Sequence, residues 1–188
     1  MSSISAQPFS GVFAAQPEVS TFAFAVRHSG VFRFRGVLTD VAATLRGDGD
    51  GDGDAPALEG AARVASISIV EPAAMRASVV GPQFFDVDRH PEVTFRSTAI
   101  RLGDDGRVEV DGELTMRGIT RDVTADGEYA APREASFGEV AGMRLQTTID
   151  RRDWGFDWQM PLPGGGDAVG WEVELDIDLL FLREAADA

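Results

Sequence analysis

Apolar and polar residues alternate along most of this chain. The clearest run lies near its end, where Trp171, Val173, Leu175, Ile177, Leu179 and Phe181 alternate with Glu172, Glu174, Asp176 and Asp178. That two-residue period is the mark of a strand with one buried and one solvated face. The same period runs through Thr21 to His28, where Phe22, Phe24, Val26 and His28 share a face opposite small residues, and through Val31 to Leu38, where Phe32 and Phe34 oppose Arg33 and Arg35. It predicts further strands over Val64–Val70, Val93–Leu102, Val108–Arg117, Thr120–Asp126 and Met143–Ile149. The strand from Val31 is expected to continue past Gly36 toward Leu45, and Gly127 to Gly142, with Pro132, reads as a long connection.

The period fails over residues 72–80, where Ala73, Ala74, Met75 and Arg76 after Pro72 predict one short helix. Pro91 cannot donate to a ladder and so belongs at the entrance of the strand that begins at Val93. Ser29-Gly30 and Gly103-Asp-Asp-Gly106 supply turns. Eight or nine strands at short spacing indicate an all-β fold, and an antiparallel barrel of about eight strands accommodates them with room for one small ligand.

The 188 residues read as a single domain over 1–188, with a loose lead over 1–10 and an Asp/Gly-rich insertion over 47–60. A chain of this length buries about 70% of its unfolded surface. It has no cysteine, which removes disulfides and thiolate chemistry. All 17 basic residues are arginine, so lysine Schiff-base and P-loop chemistry are excluded. The net charge of −14 opposes nucleic-acid binding. The opening residues lack the basic and apolar regions of a secretory leader, and no apolar run reaches the length of a membrane span. The expectation is a cytoplasmic protein that does not span a membrane.

Within the insertion, Asp48, Asp50, Asp52, Gly53 and Glu59 match the spacing of a helix-flanked calcium loop, with Asp54 as a further candidate ligand. The strand-like flanks, Ala55 and Pro56 favour a solvated insertion instead, and no metal is expected.

Several segments together resemble the YceI-like family of lipid- and polyisoprenoid-binding proteins. They are Val26-Arg-His28, Phe84-Phe-Asp86 leading through His90-Pro91 to Val93-Thr-Phe95 and Ser97-Thr98, Gly112-Glu-Leu-Thr115 with Arg117-Gly-Ile-Thr120, and Arg152-Asp-Trp-Gly155. They occur in the family's order across roughly residues 11 to 184. The resemblance implies an extended, lipocalin-like barrel with a long hydrophobic pocket for an isoprenoid or other amphiphilic chain, often as a homodimer. The family's Arg-Asp-x-His-Leu segment is replaced here by Arg76-Ala-Ser-Val-Val80.

The candidate lining residues are Phe22, Phe24, Phe32, Phe34, Phe95, Trp154 and Phe156, each of which also suits a packed core. Phe84 and Phe85 either cap the pocket or anchor the helix. Arg76, Arg117 and Arg121 are candidates for a carboxylate or pyrophosphate head group, because a guanidinium grips such groups bidentately. Asp150, Asp153 and Asp157 lie beside Arg151 and Arg152 and read as local ion pairs. The leading expectation is non-enzymatic binding, transport or sequestration of a lipid. It carries no cofactor beyond a bound isoprenoid or quinone-like lipid. The competing reading is an isomerase or hydrolase that uses His28 in the same cavity.

Overall fold

The computed structural model describes residues 10–47 and 55–184. The strands are β1 (Val12–Ala15), β2 (Thr21–His28), β3 (Phe32–Leu38), β4 (Val41–Arg46), β5 (Ala57–Arg63), β6 (Glu92–Leu102), β7 (Arg107–Met116), β8 (Ile119–Ala135), β9 (Gly138–Asp150) and β10 (Val169–Arg183). Among the described residues one α-helix, α1 (Ala73–Val80), and two 3-10 turns, Val64–Ser66 and Arg151–Trp154, complete the elements.

Every strand pairing is antiparallel, and the sheet runs β1-β4-β5-β6-β7-β8-β9-β10-β2-β3. β1 also pairs with β10, so β1 and β4 to β10 close into an eight-strand barrel. The edge of β10 that faces away from β9 is shared: Val169 to Asp178 pairs with β2, and Phe181 to Arg183 with β1. The β2–β3 hairpin therefore raises the wall at one end of the barrel. That end, the helix end, also carries α1 and the second 3-10 turn.

Local chemistry explains how neighbouring strands join. Arg117 (φ 50°) and Gly118 (φ 72°) form the two-residue turn between Met116 and Ile119. Positive φ at both positions is the type I′ geometry whose twist matches a hairpin. In β6 the pairing shifts between Ser97 and Ala99. This bulge at Thr98 moves the inward set from Val93, Phe95 and Ser97 to Ile100 and Leu102, so both halves of an 11-residue strand face the core.

Four sequence expectations change. Val64–Val70 is not a strand: it is a 3-10 turn followed by a bridge between Ile67 and Leu38. Its serines explain the false period, since Ser66 Oγ accepts from the Thr39 and Asp40 amides and Ser68 Oγ from the Val37 amide. These hydroxyls cover the outer edge of β3 while Val64, Ile67 and Ile69 are buried. The run from Val31 breaks at Thr39-Asp40 into β3 and β4. Gly127 to Gly142 is a hairpin rather than a connection, with Pro132 inside the irregularity between Ala130 and Arg133 where no ladder donor is needed. Ala57–Gly60, assigned to the insertion, belongs to β5. The lead before Ser10 and the candidate calcium ligands Asp48, Asp50, Asp52 and Asp54 lie outside the described residues. Glu59 stands on β5, within 3.8 Å of Arg46 and 3.5 Å of Arg96.

The two ends of the barrel are filled differently. At the far end Phe13, Leu45 and Phe181 are buried, and Arg183 lies over the Phe13 ring while pairing with Glu139. At the helix end Trp154, Phe85 and Phe156 are buried. The loop after Trp154 is held by Arg151, which is 4% exposed. Its guanidinium donates to the carbonyls of Gly170 (2.8 Å), Trp158 (3.0 Å), Val169 (3.2 Å) and Phe156, with the Trp171 ring 4.2 Å away. Lysine offers three donors from one point and cannot span four carbonyls. Arg151→Lys is expected to lower the urea midpoint at unchanged slope, by about 2–4 kcal/mol of stability.

Candidate functional site

The barrel interior is apolar because inward positions on successive strands are apolar, and it is not completely filled because several of them are small. Ala43, Gly60, Ala62 and Ala125 face inward together with Phe22, Val41, Leu58, Val93, Phe95, Leu114, Leu145, Leu175 and Leu179. They enclose a cavity of about 70 Å³. Ligand pockets for drug-sized molecules run to about 300–1,000 Å³, so this is a narrow slot rather than an open chamber.

Of the expected lining residues, Phe22 and Phe95 border the cavity. The Phe95 ring lies against Gly112 and the Phe24 ring against its cross-strand partner Gly36, in each case where a side chain would otherwise stand. Phe24, Phe34, Phe85 and Phe156 instead form a connected aromatic layer toward the helix end. Ring centroids are 6.4 Å apart for Phe24–Phe34, 5.8 Å for Phe24–Phe85 and 5.4 Å for Phe85–Phe156. Phe84 packs on Trp158 at 5.4 Å, beside the same layer. Phe85 packs between Phe24 and Phe156 in this layer and is not part of the slot's own lining. Trp154 is buried with its indole N–H on the Leu114 carbonyl at 3.0 Å, and Phe32 is half exposed at the tip of the β2–β3 hairpin.

The polar candidates separate clearly. Arg76 donates to the carbonyls of Ala65 (2.8 Å), Ile67 (3.1 Å) and Ile69 (3.2 Å), tying α1 to the preceding turn. Arg117 donates to the carbonyls of Gly155 and Pro82 and lies 5.4 Å from the Phe156 ring centroid, so it joins two loops at the helix end. Both guanidiniums are largely committed to backbone. Arg121 donates to the Thr120 carbonyl at 2.9 Å and is exposed. His28 ends β2, with the Ser29 hydroxyl 2.9 Å from Nδ1 and the Phe32 ring at 5.0 Å. It lies off the cavity wall, at the hairpin tip.

The sequence reading passed over the small residues that make the slot. Their signal was present as Ala43, Gly60, Ala62 and Ala125 on alternating positions of separate strands, but only the register shows that they converge.

A sequence profile of the YceI-like domain matches residues 13–181. The chain belongs to the YceI-like family. Among its relatives, UPF0312 proteins of Pseudomonas putida GB-1 and Vibrio parahaemolyticus are 30% identical over 107 residues and 31% over 94. These matches cover 56% and 50% of this chain, and the chain spans about half the length of the relatives, 52% and 48%. BcnA of Burkholderia cenocepacia superposes with a TM-score of 0.71 at 18% identity, over 88% of this chain and 98% of that one. A polyisoprenoid binding domain of Saccharophagus degradans gives a TM-score of 0.67 at 10% identity, over 92% and 98%. Both likenesses are of fold.

Within this YceI-like frame, the Arg152-Asp-Trp-Gly155 segment packs at the helix end of the barrel. Asp150 accepts from the Arg152 amide at 3.0 Å and pairs with the Arg152 guanidinium, which places Trp154 against β7. The side-chain bond from Arg152 holds the Asp150 carboxyl down to about 2. The folded-state value is thus below the ordinary carboxylate value of about 3.9, so the pair stabilises the fold above that pH and the contribution is lost as pH falls toward 2. Carboxyl-carbon NMR is expected to show Asp150 titrating near 2, and Asp150→Asn is expected to remove this component of the acid sensitivity.

Proposed function

We propose that this YceI-like chain binds an amphiphilic lipid of the polyisoprenoid type, with its apolar tail in the barrel and no chemical step. The observation that carries this reading is the slot itself, walled by apolar side chains from β2 and from seven strands of the ring. The polyisoprenoid binding described for the Saccharophagus degradans domain of the same fold supports the ligand class. The positions of His28, Arg76 and Arg117 favour binding over catalysis, since none places a general acid, base or nucleophile in the slot.

A chain of isoprene units requires the slot to widen. Phe95, lying on Gly112, is the side chain positioned to move. Holding its ring about 30° off rotamer costs about 1 kcal/mol, whereas each methylene-sized group buried returns about 0.8 kcal/mol, so two such groups offset the displacement. Tail length therefore governs affinity once the first unit has entered.

Native mass spectrometry of the purified chain, followed by organic extraction, is expected to reveal retained lipid. Ala125→Phe fills the slot at a wall position; it is expected to cost about 1–3 kcal/mol of stability and to abolish retention. A folded wild-type protein that carries no lipid and binds none on titration with farnesol or a longer prenol would overturn the reading.

A further inference from the structure

We infer that lipid enters through a lateral window between β8 and β9, with Arg121 as the gatepost that selects an anionic head group; the inference rests on the binding role proposed above. β8 pairs with β7 from Ile119 to Glu128, but its pairing with β9 begins only at Asp126, opposite Gln146. Beyond that point β9 runs on to Asp150 with β10 as its partner. The strands have parted, leaving residues 119–125 of β8 without their β9 ladder. The Thr147 hydroxyl, bonded to the Thr124 carbonyl at 2.8 Å, closes the lower corner, and Trp154 bridges the top to the Leu114 carbonyl.

Arg121 reaches solvent beside this gap, while Leu114, Ala125 and Leu145 behind it are buried. Arg121 stands directly across from Leu114, so the two side chains share the inward face, yet Leu114 is 3% exposed and Arg121 is exposed. Val123 and Thr147, which border both gap and cavity, are half-buried. The other routes are filled: Phe13 and the Arg183–Glu139 pair close the far end, and Phe85 and Phe156 roof the helix end. Between those ends, among the described residues of the eight barrel strands, Arg121 is the charged side chain on the inward face. One of its donors meets the Thr120 carbonyl, which leaves the other guanidinium donors for a head group. A carboxylate or phosphate on an apolar chain satisfies the fork while the tail occupies the slot.

The cysteine-free sequence permits a direct test. Asp122→Cys and Thr148→Cys place thiols on the outer, exposed faces of the two rims. Bridging them with bis-maleimidoethane spans the window without entering the cavity. With fluorescent cis-parinarate as probe, the bridge is expected to slow both uptake by empty protein and release from preloaded protein about tenfold, while each single variant carrying the reagent exchanges normally. Uptake and release unchanged by the bridge would overturn the window. Arg121→Gln is expected to weaken cis-parinarate about tenfold and to leave its methyl ester unaffected. An equal effect on both, or on neither, would overturn the gatepost, as would displacement of the probe by inorganic phosphate alone. Wild-type protein that takes up neither acid nor ester would remove the binding role itself, a result distinct from uptake that ignores the bridge.

Discussion

The architecture depends on saturating both edges of β10 with backbone hydrogen bonds. Its 15 residues meet β9 along one edge from Glu172 to Leu182, and along the other edge they are divided between β2 and β1. An antiparallel sheet with a long free edge invites association, and closure removes that edge. Because β1 spans only Val12–Ala15, closure is achieved by few pairs, and the break at residues 16–20 lets β2 follow the upper half of β10 while β1 bends across to β4. The acidic row on the outer face of β10 is tolerated because Arg144 pairs with Asp176 and Asp178, and Arg33 with Glu174. These exposed pairs are individually weak, and their role is to relieve repulsion along the row.

Closing eight strands fixes the interior width, and side-chain size then decides what remains open. Large residues gather at the two ends and small ones at the middle, so the same ring is plugged by Phe13 and Phe181 below, roofed by Phe85 and Trp154 above, and hollow beside Ala43, Gly60 and Ala125. Aromatic content therefore does not measure cavity size in this chain. The rings of Phe24 and Phe95 spend their volume covering glycines on neighbouring strands.

That distinction also marks how far the sequence was legible. The barrel class and most strands followed from period, because a strand with one wet face imprints its alternation on every residue, as β10 does, and α1 followed from the loss of that period together with the alanines after Pro72. The family motifs were readable for the same reason: they sit at turns and strand entrances, where backbone geometry narrows the choice of residue, as at Arg117-Gly118. The Ser66–Ser68 segment misled because serine hydroxyls replaced a backbone ladder at the edge of β3, giving a strand's alternation without a strand. Arginine roles were the least legible. Arg76, Arg117 and Arg151 are bound to carbonyls of loops distant in sequence or folded back on themselves, and nothing in their neighbours' identities separates such a clamp from a solvated charge or a head-group ligand.

The seam between β8 and β9 shows why a closed barrel can carry an opening at all. An unpaired backbone group that is buried costs about 1–3 kcal/mol, so a dry gap across several residues would outweigh much of a small domain's net stability of about 5–15 kcal/mol. A gap of this length is tolerable when its backbone is wet, and the gap lies beside the exposed Arg121 and the partly exposed Val123 and Thr147. Wetting, however, opposes an apolar slot, which is more stable when water is excluded. The two demands meet at one place: the polar Arg121 and the Thr147 hydroxyl stand at the rim, and the apolar wall begins at Ala125 and Leu145 immediately behind them. A ligand with one charged end and one apolar end resolves the conflict better than either water or a pure hydrocarbon, because its head supplies polar partners at the seam while its tail dries the slot in the same binding event.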